Sequence, residues 1–493
     1  MLLQGILPRQ PFTVYKDGMI KMARIQAFAT MAVLAGMMVL PCPLFGAASM
    51  TDGPATPLFK ESRTLRGGKD ASIPAKPVGM AEAVERALRH NPSLGAAEAQ
   101  GHSSEEGRKS ARGAFGPRLG MSYSAIKQER VNTAAITRPP ELGTYNWGVE
   151  ISQPVFQGFR LLASYQKAAL QAESDRASLR HNELIMTEQV QNYFLNFLRS
   201  EENVRSERDA LARLRDQLRI TTAFYEVGLR PRLDVLQAEV DVSQAENLLI
   251  QAENTRDTHL AMLNTLLGLP ATATVSYVGK LNPIPFRRSL EDCLESAYRQ
   301  RPDLYIAAKS VEIAGKSQRE VQSDYYPHVE AYYNITQSGN TPDLRDAGNR
   351  GSRGTTWEVG ARATWEVFQW GTTHYADKQA GWLVTKMRYE EENLKLNVGY
   401  DVKSKYLAVH EAEKRIAVAR KGVEQATEAY NVALARYQEH VGTNFDVLDA
   451  SSKLTTAQAA LTGAKADYLT ALSQIYVAMG EFHPDLMQRH DKQ

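Results

Sequence analysis

Two stretches of the chain carry the same hydrophobic rhythm. Val235, Ala238, Val242, Ala245, Leu249 and Ala252 follow one another at spacings of 3, 4, 3, 4 and 3. Val447, Ala450, Leu454, Ala457, Leu461 and Ala464 do the same 212 positions later. A large residue alternating with alanine at this period predicts a helical seam that lets neighbouring helices approach closely. Similar strings lead into both seams: Leu233-Asp234-Val235-Leu236 and Phe445-Asp446-Val447-Leu448. A heptad run occurring twice with the same lead-in predicts a duplicated helical device.

The duplication extends well beyond the seams. Met80 to His90 reads as a short helix, broken at Asn91-Pro92, with a second helix over 93–112. Leu290 to Gln300 repeats it, broken at Arg301-Pro302, with a helix to 322. After Pro117 and Pro327 the period changes to two. Leu119, Met121, Tyr123 and Ala125 alternate with polar or small residues, as do Tyr145, Trp147, Val149 and Ile151. The second half offers Val329, Ala331, Tyr333 and Ile335, then Trp357, Val359, Ala361, Ala363, Trp365 and Val367. These are four strands in two hairpins, 117–156 and 327–368. Long helices are expected over 159–225 and 372–437, with no proline inside either. At ~1.5 Å per residue each reaches ~100 Å, longer than one globular core can cover, so they belong in a bundle or coiled coil. Reversals follow at 226–232 and 438–444, then helices over 233–267 and 445–479. Gly268 and Gly480 close them.

The expected organisation is therefore two repeats, 80–269 and 289–481, joined by a linker, 270–288. Residues 1–48 read as an export signal: Lys16, Lys21 and Arg24 precede an apolar run, then the small-residue site Gly46-Ala47-Ala48. Residues 49–79 lack any period and are expected to be a flexible lead-in, and 482–493 a short polar tail.

Composition narrows the function classes. Of 493 residues 23% are charged and 43% hydrophobic, which excludes a helical polytopic membrane protein but not a transmembrane β-barrel. A net charge of +2 gives no reason to expect nucleic acid. Neither the two cysteines, Cys42 and Cys293, nor the ten histidines show metal-ligand spacing. Cys293 reads as a small buried hydrophobe. No nucleophile elbow, P-loop or dinucleotide fingerprint occurs, so no enzyme, cofactor or metal is expected. The alternating strands are of bilayer-crossing length, with aromatics near the ends of their apolar faces, as in membrane-interface girdles. Tyr145, Trp147, Val149, Ile151, Tyr333, Trp357 and Trp365 are the expected lipid-facing residues. Four strands leave two unpaired edges, which lipid does not tolerate, and bacterial barrels start at ~8 strands. Two chains would supply eight strands and three would supply twelve.

The order helix pair, hairpin, very long helix, glycine turn, heptad helix, given twice behind an export signal, resembles the TolC-like outer-membrane efflux factor family over about residues 80–480. The residues that carry the likeness are Pro154-Val155-Phe156, Val367-Phe368, Tyr225-Glu226-Val227-Gly228-Leu229, Asp234-Val235-Leu236-Gln237-Ala238 and Asp446-Val447-Leu448-Asp449-Ala450. The resemblance implies a mixed α and β membrane protein. Three copies would close a twelve-stranded outer-membrane β-barrel that continues into a periplasmic α-helical coiled-coil barrel. It implies a passive exit duct for a tripartite efflux pump or a type I secretion system. The partners implied are a periplasmic adaptor, an inner-membrane ABC or proton-driven transporter, and outer-membrane lipid. By position it places a periplasmic gate at Asp446 and Asp449, with Asp234 and Tyr437 as neighbouring groups that tie the coils shut. The adaptor contact would be the tip, at Val227, Gly228, Leu229, Arg230, Arg232, His440, Val441 and Gly442. One departure stands out: counted back from Asp446, the place of Gly228 is taken by His440, and a glycine appears at Gly442 instead, so a differently shaped second tip is expected. The competing reading, a soluble periplasmic coiled-coil scaffold, accounts for the seams but not for the alternating strands.

Overall fold

The computed structural model describes residues 76–128, 142–339, 341, 342, 344 and 354–482, all within one unit, Leu65–Gln493. The expected export signal, nearly all of the lead-in, the first hairpin loop, most of the second and all but the first residue of the tail lie outside the described residues.

The helices come as two matched sets. In the first half they are α1 (Met80–His90), α2 (Pro92–Gly113), α3 (Arg160–Glu226) and α4 (Arg232–Leu266). In the second they are α5 (Leu290–Gln300), α6 (Pro302–Gln322), α7 (Thr372–Gln438) and α8 (Asn444–Ala478). The two longest have 67 residues each and the returning pair 35 each. Among the described residues no helix is long and apolar enough to cross a membrane.

The strands are β1 (Arg118–Gln128), β2 (Leu142–Gln157), β3 (His328–Gly339) and β4 (Thr355–Thr364), paired antiparallel in the order β1-β2-β3-β4. The β2–β3 ladder joins the two repeats into one sheet. Its register brings the apolar positions into rows: Met121 opposite Val149, Val149 opposite Ile335, Ile335 opposite Trp357. A second row runs Leu119, Ile151, Tyr333, Val359. Because side chains alternate, these rows share one face, and Ser122, Gly148, Thr336 and Thr356 lie on the other. The apolar face is unusually open for such residues: Met121 is 70% and Trp357 69% exposed. Trp365 lies one residue beyond β4, where its indole Nε1 donates to the Tyr325 carbonyl at 3.2 Å, so it marks the foot of the sheet rather than its wall.

Each strand runs into a helix, so the helices repeat the strand order. Below the sheet α2 packs on α3, α3 on α6, and α6 on α7. Further down α4 packs on α3, α3 on α8, and α8 on α7. The seam residues face these contacts: Ala238, Ala245, Val409, Ala412, Ile416, Val447, Ala450 and Leu454 are all buried. One edge of the layer is therefore β1 with α2 and α4, the other β4 with α7. That second edge carries Tyr375, Trp382, Tyr389 and Leu396 at seven-residue spacing, all exposed.

Two apolar cores sit where the short helices meet the long ones, one per repeat. Val84, Ala87, Val190, Phe194, Leu263 and Leu267 build the first. Cys293, Ala297, Val398, Val402, Leu472 and Ile475 build the second, with Cys293 fully buried. Each core is closed by the same corner. Gly268 (φ +72) and Gly480 (φ +79) end α4 and α8 in the left-handed region, and an added Cβ would lie 2.7 Å from the His90 carbonyl oxygen or 2.9 Å from that of Gln300. Only glycine permits both the turn and the approach.

Candidate functional site at the helical tip

At the first reversal, Gly228 N donates to the Tyr225 carbonyl (2.9 Å) and Leu229 N to that of Phe224 (2.9 Å). At the second, His440 N donates to the Tyr437 carbonyl (3.1 Å) and Val441 N to that of Arg436 (2.9 Å). The two tips thus share one backbone. Gly228 has φ +76 and His440 φ +62, so the histidine takes the left-handed place itself. The expected difference in shape is therefore not found. Gly442 keeps an ordinary φ and is buried against Arg436 and Tyr437. A non-glycine residue in this region costs about 1–2 kcal/mol. The contact there is aromatic: the His440 ring meets Phe224 edge-on at 4.9 Å.

Phe224 also lies 5.7 Å from Tyr437, which is fully buried. Arg230 reaches across from the first tip. Its guanidinium stands 4.9 Å over the Tyr437 ring and donates to the Gly442 carbonyl at 2.7 Å. Beneath lies a buried polar knot. Gln217 Nε2 donates to Asn444 Oδ1 (2.7 Å), the Thr221 and Tyr437 hydroxyls are 3.0 Å apart, and Asn444 Nδ2 donates to the Asp234 carbonyl (3.3 Å). These bonds tie α3 and α4 to α7 and α8 inside one chain. Buried groups of this kind stabilise when paired and are costly when a partner is removed.

Of the gate residues named from sequence, Tyr437 belongs to this knot by its side chain and Asp234 only by its backbone. Asp446 is exposed and caps α8: its Oδ2 accepts from the Thr443 N–H (3.0 Å) and hydroxyl (2.8 Å), while Thr443 Oγ1 accepts from Asp446 N (3.2 Å). Those two bonds hold its carboxyl below the usual carboxylate range. Asp449, one turn on, accepts from Lys453 Nζ at 2.7 Å. Of the tip residues, Val227, Leu229 and Val441 present exposed apolar side chains and Arg232 is exposed, while Arg230 is half-buried in the knot. Gln217, Thr221, Phe224 and Asn444 went unnoticed in the sequence. A sequence signal existed for one neighbour: Thr443-Asn444-Phe445-Asp446 has capping-box spacing.

A family model described as outer membrane efflux protein matches residues 83–269 and 293–481. The outer membrane efflux protein BepC of Brucella suis biovar 1 (strain 1330) is 23% identical over 414 residues, spanning 82% of this chain and 85% of that protein. The alkaline protease secretion protein AprF of Pseudomonas aeruginosa is 22% identical over 413 residues, spanning 81% of this chain and 83% of its own. Among solved structures, the Campylobacter jejuni CmeC outer membrane channel superposes with a TM-score of 0.72 at 15% identity, covering 92% of this chain and 96% of that one. The outer membrane protein VceC of Vibrio cholerae gives 0.69 at 19% identity, covering 82% and 96%.

Proposed function

Because the chain belongs to the outer membrane efflux protein family, we propose that three copies close into a twelve-stranded barrel above a periplasmic helical tunnel. The chain is an outer-membrane channel for efflux or secretion, and the trimer is what makes one chain a duct. The observation that carries this reading is the coincidence of open edges. The sheet ends at β1 and β4, and the helical layer ends on the same two sides, at α2 and α4 and at α7. A sheet in lipid requires closure, because unpaired backbone groups there cost several kcal/mol each. The edge of α7 carries an exposed apolar stripe that a neighbouring copy would cover. A soluble scaffold leaves the apolar rows of the sheet, Leu119 to Val359 and Met121 to Trp357, without a role.

In this reading the rows named from sequence face lipid and the polar rows face water. Substrate passes down the bore without chemistry, driven by an inner-membrane transporter through an adaptor. Val227, Leu229 and Val441 are the exposed apolar points where an adaptor would dock. Asp446 and Asp449 stand at the tunnel mouth, held shut by the knot around Tyr437. One relative is named for efflux and another for protease secretion, at 23% and 22% identity, so both outlets are retained.

The test is native mass and conductance together. Purified from the outer membrane in detergent, the protein should run as three copies and open discrete channels in planar bilayers. A monomer, or a soluble protein recovered without detergent, would refute the barrel. Asp446→Ala with Asp449→Ala should lower cation preference, and an unchanged preference would retire the gate assignment.

A further inference from the structure

The large residues on the open edge of α7, Tyr375, Trp382, Tyr389 and Leu396, have counterparts on α3. Aligning Thr372 with Arg160, where the two 67-residue helices begin, sets them against Ala163, Leu170, Ala177 and Leu184. Those four are buried or half-buried, whereas Trp382 is 72% exposed. The cause lies inside the chain. On that face α3 carries α6: Lys167 pairs with Glu320 at 2.7 Å, Glu173 with Lys309 at 3.0 Å, and Arg160 with Asp324. α7 holds α6 on its opposite face, where Asp377 accepts from Gln318 at 2.9 Å and from Gln322 at 3.0 Å.

The other edge repeats the contrast. Aligning Pro92 with Pro302 sets Ala96, Ala99, Ser103 and Ser110 of α2 against Ile306, Lys309, Ile313 and Glu320 of α6. The α6 residues are half-buried and their α2 counterparts exposed. Sizes are exchanged between the two seams. Where α3 has Ala163 and Ala177, α7 has Tyr375 and Tyr389, and where α6 is bulky, α2 is small, Glu106 at the place of Lys316 excepted. The ion pairs have gone as well: Lys167 and Glu320 become Gln379 and Ser110, and Glu173 and Lys309 become Thr385 and Ala99.

Resting on the three-copy reading, we propose that α7 of one copy lies on α2 of the next in the register of the internal α3–α6 seam, with the bulk moved to the α7 side. Tyr375 then falls by Ser110, Trp382 by Ser103, and Tyr389 by Ala96 and Ala99. Large side chains over small ones keep the helix spacing that α3 and α6 reach with the sizes reversed. The two edges are different surfaces, so the contact runs head to tail and repeats until the ring closes. The exchange also selects the partner: an α6 supplied by another copy would bring Ile313 against Trp382 and overpack the seam, so α7 accepts α2 and not α6.

The experiment uses the full-length protein in its outer membrane, treated with a short bismaleimide and run on a denaturing gel. Gln379→Cys with Ser110→Cys should give linked dimers and trimers, and neither single variant should give any. Co-expression of the two single variants should give dimers. Trp382→Ala should lower the temperature at which the detergent-solubilised trimer dissociates, with little change in the protomer, where the side chain is exposed. Ser103→Leu alone should lower it too, and the two together should restore much of the loss. A trimer by native mass that never links through Gln379 and Ser110 would overturn the α7–α2 register and leave the three-copy reading standing. Links without any effect of Trp382→Ala would overturn the exchange of bulk. A monomer by native mass would remove both readings together.

Discussion

The two repeats have the same skeleton and hold it by different chemistry. At the corner that closes each core, the first repeat uses a neutral side chain. Asn91 accepts from Ser93 N at 2.8 Å and donates to the Leu266 carbonyl at 2.9 Å. The second uses a charged one: Arg301 donates to the Ala478 carbonyl at 3.3 Å, to Asp303 at 2.7 Å and to Asp401 at 2.9 Å. At the tip, the first repeat turns on a glycine and starts α4 without a side-chain cap, while the second turns on a strained histidine and starts α8 with a capping box. At the foot of the sheet the left-handed pairs are Gly158-Phe159 and Trp370-Gly371, with the glycine exchanged between the two places. Backbone geometry is thus the shared property of the two repeats. The side chains that secure it have diverged: the second repeat carries the charged solution at the corner and the strained one at the tip, while at the foot of the sheet each repeat holds one non-glycine residue in the left-handed region.

Gly480→Ala and Gly268→Ala test what is shared. Each puts a Cβ into a neighbouring backbone and into a left-handed turn, so each should lose about 2–4 kcal/mol. Thermal melts in detergent should show the two falling together, and a tolerated alanine at either would break the equivalence of the corners. Arg301→Met should cost about 2–3 kcal/mol by stranding Asp303 beside Asp401, against about 1 for Asn91→Ala. The same pair predicts a pH dependence. Burial alone would raise the Asp303 carboxyl, but hydrogen bonds and charge from Arg301 outweigh it and hold it below the ordinary range. A lowered folded value gives stability that is fully present above about pH 4 and is lost as pH falls through the folded value. The gap between wild type and Arg301→Met should therefore be widest at neutral pH and narrow below pH ~4. A gap that widened in acid would reverse the assignment.

The tips should differ less. Gly228→Ala should cost about 1–2 kcal/mol, whereas His440→Gly should gain under about 1, because relief of the backbone is offset by the lost contact with Phe224. Equal and opposite effects would mean that the histidine ring contributes nothing. Of similar size is Thr443→Ala, expected to cost about 1 kcal/mol through the cap, a loss with no counterpart at Pro231. Chemical denaturation of the detergent-solubilised protein reads both.

Much of the fold was legible because it rests on local periodicity. The 3–4 seams from Val235 and Val447 keep one buried or half-buried face, with none of their twelve residues exposed, and the alternation around Val149 and Ile335 names the apolar face of the sheet. Pro117 and Pro327 mark where the helical period stops. Trp365 fell on the wrong side of a strand end, since the alternation continues past the last ladder bond. The tip was legible only in outline. Gly228 and Asp446 announce a turn and a helix start, but Arg230 reaching Tyr437 and Gly442 joins positions far apart in the chain, and no periodicity encodes that. His440 was misread because a side chain in the left-handed region looks, in a sequence, like a missing glycine.

By itself the sequence determined the repeat, the lengths of the helices and which face of each element is apolar, because these follow from spacing along one element. Only the tertiary structure decided that β2 pairs with β3, that the open edges of sheet and helices coincide, and that the tip is tied by Gln217, Thr221, Asn444 and Arg230. Those facts depend on which elements come to lie side by side, and that is settled by packing across the duplicated halves rather than by pattern within either.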